Sequence, residues 1–220
     1  MKIISFEGID GTGKTTQINL LNNLLDQQGY RVSVRSYPVY ESFFGKEIGI
    51  HLSSNDAVHN IDARSMALWY AMDRWNDRNE FIATNDDVDI LLLNRYTLSS
   101  MVYQVIRAGV SQEMANWVEE LEHNILKLPR PDMYLIFDLP FELALKNNEG
   151  KGKRDYIDGE VDKYERDIKL QTTARELYSK FGKEQNNARI IKCFDNDSML
   201  PIENIFQQVK ENVSNIIKID

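Results

Sequence analysis

Short apolar runs alternate along this chain with longer segments in which apolar side chains recur every three or four residues. The short runs predict strands at Lys2–Phe6, Arg31–Arg35, Asp89–Leu93, Asp132–Asp138 and Ala188–Phe194. Between them lie helix-like stretches near 14–28, 61–83, 97–108, 112–126, 159–181 and 201–217. In the first of these, Ile18, Leu21 and Leu25 line one face of a helix. Alternating strands and helices build βαβ units around a parallel sheet. The expected architecture is therefore α/β, a doubly wound five-stranded parallel sheet with helices on both faces. No internal repeat interrupts it. The segment Asn147-Asn-Glu-Gly-Lys-Gly-Lys-Arg154 has glycines and lysines but no apolar anchor, so it reads as a mobile surface loop.

At 220 residues the chain fits one domain, 1–220, with enough material for a single core. The formal net charge of −8 argues against a nucleic-acid partner, which calls for a basic stripe. An acidic protein still holds a small phosphorylated ligand through local donors. Cys193 is the only cysteine, which excludes an intrachain disulfide and a multi-cysteine metal site. It lies in an apolar run and reads as a buried thiol. His51, His59 and His123 lack metal-ligand spacing and read as structural or surface residues. The first residues turn polar too soon for a signal peptide, and no run approaches the roughly eighteen apolar residues of a membrane span. The cytoplasm is the default location.

One motif carries chemistry. Gly8-Ile-Asp-Gly-Thr-Gly-Lys-Thr15 matches G-x-x-x-x-G-K-[ST] at every fixed position, between an apolar strand and an amphipathic helix. This is the P-loop pattern of nucleotide-binding proteins. Gly8, Gly11 and Gly13 let the backbone wrap so that N–H groups, those of Asp10, Thr12 and Thr16 among the candidates, face phosphates at a helix N-terminus. Lys14 is placed to reach the β- and γ-phosphates of ATP, and the Thr15 hydroxyl to complete a Mg²⁺ shell.

The wider segment Phe6-Glu-Gly-Ile-Asp-Gly-Thr-Gly-Lys-Thr-Thr-Gln17 resembles the thymidylate kinase family. Four later segments agree in order and spacing: Arg35-Ser-Tyr-Pro38, Ala67-Leu-Trp-Tyr-Ala-Met-Asp-Arg-Trp75, Asn94-Arg-Tyr-Thr-Leu-Ser-Ser-Met-Val-Tyr-Gln104 and Pro131-Asp-Met-Tyr-Leu-Ile-Phe-Asp-Leu-Pro140. The resemblance implies ATP-dependent phosphorylation of dTMP to dTDP with Mg²⁺, in a homodimer. It places Tyr70 on the pyrimidine ring and Arg74 at the base or sugar. Arg95 falls to the acceptor phosphate and the transferring group, Asp10 to the 3′-hydroxyl and phosphate, and Tyr37-Pro38 to the monophosphate pocket. Ser100 and Gln104 would bond the thymine edge, with the Ser99 and Tyr103 line facing the sugar. Residue types and spacing are compatible with this. Tyr70 and Arg74 share a helix face, as do Ser99 with Tyr103 and Ser100 with Gln104. A core aromatic at Tyr70, and an Arg74–Asp77 surface pair, are the competing structural readings.

A phosphate monoester has its second pKa near ~6, so the acceptor needs alignment and charge neutralisation rather than a general base. The loop positions Ile9, Asp10 and Thr12 bring no cation. By resemblance a lid near 147–158 supplies it, from Lys151, Lys153 or, for its phosphate-matching fork, Arg154. Asn94 stands where the family usually carries aspartate, and Tyr40 where some members carry a cation. A deoxynucleoside kinase remains an alternative, although Ser36-Tyr-Pro38 holds no carboxylate base. A catalytically weak nucleotide-binding regulator is another.

Overall fold

The computed structural model describes residues 1–53, 61–84, 87–149 and 168–219. A five-stranded sheet has the order β2-β3-β1-β4-β5. The strands are β1 (Lys2–Glu7), β2 (Val32–Ser36), β3 (Ile90–Asn94), β4 (Met133–Asp138) and β5 (Ala188–Lys192). All four pairings are parallel, and Phe6 stands opposite Asn94 on one side and Leu135 on the other. Each expected strand is present and shifts only at its ends.

The central strands β1, β3 and β4 are buried on both faces. Ile4 and Phe6 enter the main core, whereas Ile3 packs with Leu91 and Leu93 in a second cluster. That explains why β3 reads as a continuous run, Ile-Leu-Leu-Leu, rather than as an alternation. The helices are α1 (Lys14–Gln27), α2 (Phe43–Ser53), α3 (Ala63–Thr84), α4 (Thr97–Arg107), α5 (Gln112–Glu119), α6 (Phe141–Glu149), α7 (Ile168–Glu184) and α8 (Ile202–Val213). In α1 the stripe Ile18, Leu21 and Leu25 is buried. Gly182 of α7 lets that helix approach β4, because a Cβ there would lie 2.4 Å from Ile136 Cδ1. The chain leaves β1 toward β2 on one side and reaches β4 on the other. The carboxyl end of β1 is thus the crevice where such sheets bind ligands.

Four local features differ from expectation. Helix α2 is additional to the expected elements: Ile48 and Leu52 are buried, while Phe43 and Ile50 point outward and obscure the period. Asn147–Glu149, expected in the loop, form the last turn of α6. The rest of the expected lid, 150–158 with Lys151, Lys153 and Arg154, lies outside the described residues, as do His59 and the start of the expected 159–181 helix. The expected helix 112–126 divides after Glu119 into a π-helical turn, Glu120–Ile125. The wider turn rotates Ile125 off the apolar stripe and leaves it 63% exposed. A short hairpin, β6 (Phe194–Asp195) and β7 (Ser198–Met199), follows β5. Cys193 beside it is buried, and burial pushes its thiol up to about 12.

Candidate active site

The loop 8–15 joins β1 to α1 and is pressed between β4 and α6. Gly8 has φ +128°, and a Cβ there would sit 2.6 Å from the Phe137 carbonyl oxygen. Gly11 has φ +81°, and its Cβ would meet the Ala144 carbonyl oxygen at 2.2 Å. Only glycine satisfies both the backbone angle and the space at these two positions. Thr12 is buried and donates to the Ile9 carbonyl at 3.0 Å, closing the loop on itself. Lys14 Nζ lies within the loop, donating to the carbonyls of Ile9 at 2.7 Å and Gly8 at 3.0 Å. Thr15 is exposed and Thr16 half-buried on the first turn of α1.

Arg95 follows β3 and is fixed from three sides. Its backbone has φ 65°, a conformation uncommon outside glycine, and its N–H bonds the Phe6 carbonyl at 2.9 Å. Nη2 donates to Asp10 Oδ1 at 2.8 Å, joining the β3 end to the P-loop. Nη1 donates to Tyr178 Oη at 3.1 Å and to Ser99 Oγ at 3.3 Å, and the guanidinium stands 5.6 Å from the Tyr103 ring.

Behind this cation lies a buried carboxylate. Glu7 accepts from Ser99 Oγ at 2.5 Å, from Ser5 Oγ at 2.7 Å and from the Tyr96 N–H at 2.9 Å. Burial raises its pKa above the ordinary value, although these hydrogen bonds and Arg95 oppose the rise. Ser99 donates its one hydroxyl proton to Glu7, so Tyr178 donates in the 2.7 Å contact with Ser99. Ser99, expected at the acceptor sugar, is therefore committed within the protein and props Arg95.

The next line along α4 differs. Ser100 and Gln104, four residues apart, share one face of α4, and Tyr96 is its N-cap. Ser100 Oγ and Gln104 Oε1 are buried and make no hydrogen bond among the described residues. Arg74 stands at the start of the same helix, 6.0 Å from the Tyr96 ring. The alternative Arg74–Asp77 surface pair is not formed. Arg74 is buried and bonds Glu122 through Nε at 2.9 Å and Nη2 at 2.6 Å. Asp77 instead accepts from Tyr37 Oη at 2.7 Å and lies 3.5 Å from Arg35. Tyr37 is thereby buried, with Pro38 half-buried after it across a cis bond. Tyr70 is half-buried and packs against the cluster of Ile48, Leu52 and Met66.

Asn94 closes β3 beside the P-loop strand, and its Oδ1 is also buried without a hydrogen-bond partner among the described residues. No group of three or more His, Cys, Asp or Glu side chains among the described residues is arranged to hold a metal.

A family model described as thymidylate kinase matches residues 6–209. The chain belongs to the thymidylate kinase family. It is 30% identical to a thymidylate kinase of Caldicellulosiruptor saccharolyticus over 99% of this chain and 98% of that protein. It is 35% identical to one of Thermoanaerobacter sp. strain X514, over 83% of this chain and 84% of the relative. A Mycobacterium tuberculosis thymidylate kinase is 28% identical over 82% and 85% respectively. Membership makes the protein a phosphotransferase that uses nucleotides.

Several residues that organise this thymidylate kinase site carry no motif signal. Tyr178 reads as one more apolar position on α7. Glu122 had a legible signal, because it falls four residues after buried Val118 and eight after buried Met114, where the stripe calls for an apolar side chain. Asn147 donates to the Gly11 carbonyl at 2.6 Å from a stretch whose composition suggests only a loop.

Proposed function

We propose that this site transfers the γ-phosphoryl group of ATP to the 5′-phosphate of dTMP, giving dTDP and ADP, with Mg²⁺ on the donor phosphates. The observation that carries the reading is the Arg95–Asp10 pair. It sets a guanidinium on the phosphate-binding loop at the head of a helix whose next face holds two oxygens without a hydrogen-bond partner among the described residues. An acceptor phosphate oxygen attacks the γ-phosphorus while the bond to the β-phosphate oxygen breaks, and the electron pair leaves with ADP. The acceptor is already largely a dianion, so no base is required. Mg²⁺, when bound, neutralises donor phosphate charge.

Lys14 exchanges its bonds to the Gly8 and Ile9 carbonyls for phosphate oxygens, and the loop N–H groups from Gly8 to Thr16 hold the donor. Arg95 orients the acceptor phosphate, and Asp10 holds Arg95 and faces the 3′-hydroxyl. Ser100, Gln104 and Arg74 read the base, with Tyr70, Tyr103, Tyr37 and Pro38 as walls of the acceptor pocket. Arg154 supplies the remaining cation from the lid. The chain, 1–220, works as one kinase domain in the cytoplasm and assembles as a homodimer. Exposed Phe43 and Ile50 on α2, with Leu68 and Trp75 on α3, form two apolar stripes that support that assembly. Among the described residues, no helix is long and apolar enough to cross a membrane.

ADP formation measured with dTMP, dUMP, dGMP and thymidine offered separately tests the reading. Turnover should be highest with dTMP. Preferential turnover of thymidine would make the protein a nucleoside kinase, and no turnover with any acceptor would leave a nucleotide-binding regulator.

A further inference from the structure

Glu122 is the most deeply buried charge outside the phosphate site. It is fully buried, and its partner Arg74 is 2% exposed. Such a pair is weak evidence for stability, because desolvating both charges offsets most of their attraction, and apolar replacements are often neutral or stabilising. The pair also sits on an unusual element. Glu122 belongs to the π-helical turn 120–125, a geometry found mostly as single turns and frequently at functional sites. The turn is itself pinned, since His123 Nδ1 lies 2.9 Å from the Leu128 carbonyl and Nε2 lies 3.3 Å from Thr97 Oγ1 on α4.

The bond pattern gives the pair its direction. Nε and Nη2 of Arg74 are consumed by the two Glu122 oxygens, while Nη1 makes no hydrogen bond among the described residues. A bidentate carboxylate fixes the plane of the guanidinium as well as its position. Beside that plane lies Tyr96, the N-cap of α4, the helix on which Ser100 Oγ and Gln104 Oε1 are buried without a hydrogen-bond partner among the described residues.

We propose that Glu122 is a positioning residue for recognition of the acceptor base: it holds Arg74 so that only Nη1 faces the base, as a pure donor, next to the Ser100 and Gln104 oxygens. This rests on the dTMP reading of the site. Thymine presents an N–H between two carbonyl oxygens, so one fixed donor beside an acceptor matches its edge. Cytosine replaces that N–H by a bare nitrogen and the neighbouring carbonyl by an amino group, which leaves the same protein groups unpaired. Without the Glu122 clamp the guanidinium is no longer held against the base, and the penalty of a fixed donor facing the cytosine amino group goes with it.

The test uses the purified full chain and steady-state rates with dTMP and dCMP. Wild type should prefer dTMP; failure to turn over dTMP would overturn the assignment of the reaction rather than the role of Glu122. Glu122→Gln should raise the KM for dTMP by about 10-fold, and lower the dTMP-over-dCMP preference by a similar factor. Its KM for ATP should stay within about 2-fold, because the donor site is untouched. The paired variant Arg74→Met with Glu122→Leu strands no charge in the core, so it should fold even if the single variant does not. It should lose the same preference. A folded variant of either kind that keeps the wild-type preference overturns the proposal. A paired variant that does not fold also overturns it, since the ion pair is then a requirement of folding.

Discussion

Asn147 Nδ2 donates to the Gly11 carbonyl at 2.6 Å, tying the last turn of α6 to the middle of the P-loop. The same carbonyl-lined contact appears on the other side of the residue, where the Gly11 Cα faces the Ala144 carbonyl too closely for any Cβ. The loop is thus shaped by α6 as well as by its own glycines. Asn147→Asp places a carboxylate against a carbonyl oxygen and should raise the KM for ATP several-fold. Asn147→Ala removes one hydrogen bond worth about 1 kcal/mol and should have a milder effect. Measuring ATP KM for both at saturating dTMP checks the order. Equal, wild-type values would show that the tether is idle.

Lys14→Ala should lower kcat by about 10²-fold or more, because the ammonium acts on charge developing in transfer. The fold should survive. The cost is confined to the buried Gly8 and Ile9 carbonyls, which lose one donor. Thermal melting beside single-turnover rates separates the two effects. Wild-type turnover would remove Lys14 from the mechanism.

Tyr178→Phe deletes one hydroxyl that both donates to Ser99 and accepts from Arg95. Hydrogen bonds to charged groups contribute about 1.5–3 kcal/mol, so a kcat loss of about 10-fold is expected if Arg95 loses its alignment in the transition state. The pH profile should not move. Burial holds the Tyr178 hydroxyl well above its ordinary pKa, so it stays protonated throughout the working range. A profile that shifts in the variant would show that Tyr178 titrates in turnover.

The contrast between Tyr178 and Lys14 shows what sequence makes legible. Lys14 lies in a local pattern whose spacing is dictated by the ligand, so eight residues suffice to find it. The parallel sheet was legible for a similar reason, since strands such as Ile90–Asn94 are continuous apolar runs bounded by periodic segments. Tyr178 acts through a contact with Arg95, 83 residues away in the chain. No local period encodes such a contact. Helix α2 has a buried stripe, Ile48 and Leu52, but exposed Phe43 and Ile50 and the glycines Gly45 and Gly49 blur its period in the sequence. Glu122 lies between these cases: its place on an apolar stripe was visible, but its partner was not.

Glu7 gives a prediction for stability against pH. Its folded pKa is raised above the ordinary 4.5, chiefly by burial. The folded state therefore binds its proton more tightly than the unfolded chain does. The cost of ionising it is absent below about pH 4.5, grows as pH rises toward the folded value, and is full above it. Glu7→Gln has no such term. Relative to wild type, the variant's unfolding free energy should therefore improve as pH rises through that window, whatever constant offset the lost charge-assisted bonds impose. Chemical denaturation of both proteins across that range measures the difference. A difference that is flat, or that runs the other way, would show that Glu7 is not held above its ordinary pKa.

The last prediction concerns Asn94 and the metal. A residue closing the strand beside a P-loop commonly helps hold the Mg²⁺ shell, and aspartate would do so with a full charge. Asn94 has only a carbonyl oxygen to offer, and that oxygen is buried with no hydrogen-bond partner among the described residues. Glu7 does not substitute for the missing charge, because Ser5, Ser99 and the Tyr96 N–H already occupy its oxygens. A neutral acceptor makes weaker bonds to metal-bound water than a carboxylate does, and losing an outer-shell partner typically costs about 10–100-fold in metal affinity or activity. Asn94→Asp should therefore shift the Mg²⁺ activation curve to lower concentration, by up to about 10-fold, and leave the preference among nucleoside monophosphates unchanged. The natural protein should be fully active once Mg²⁺ is raised. An unchanged curve in the variant would exclude Asn94 from the metal site. A change in nucleotide preference instead would mean that its orphaned oxygen faces the acceptor rather than the ion.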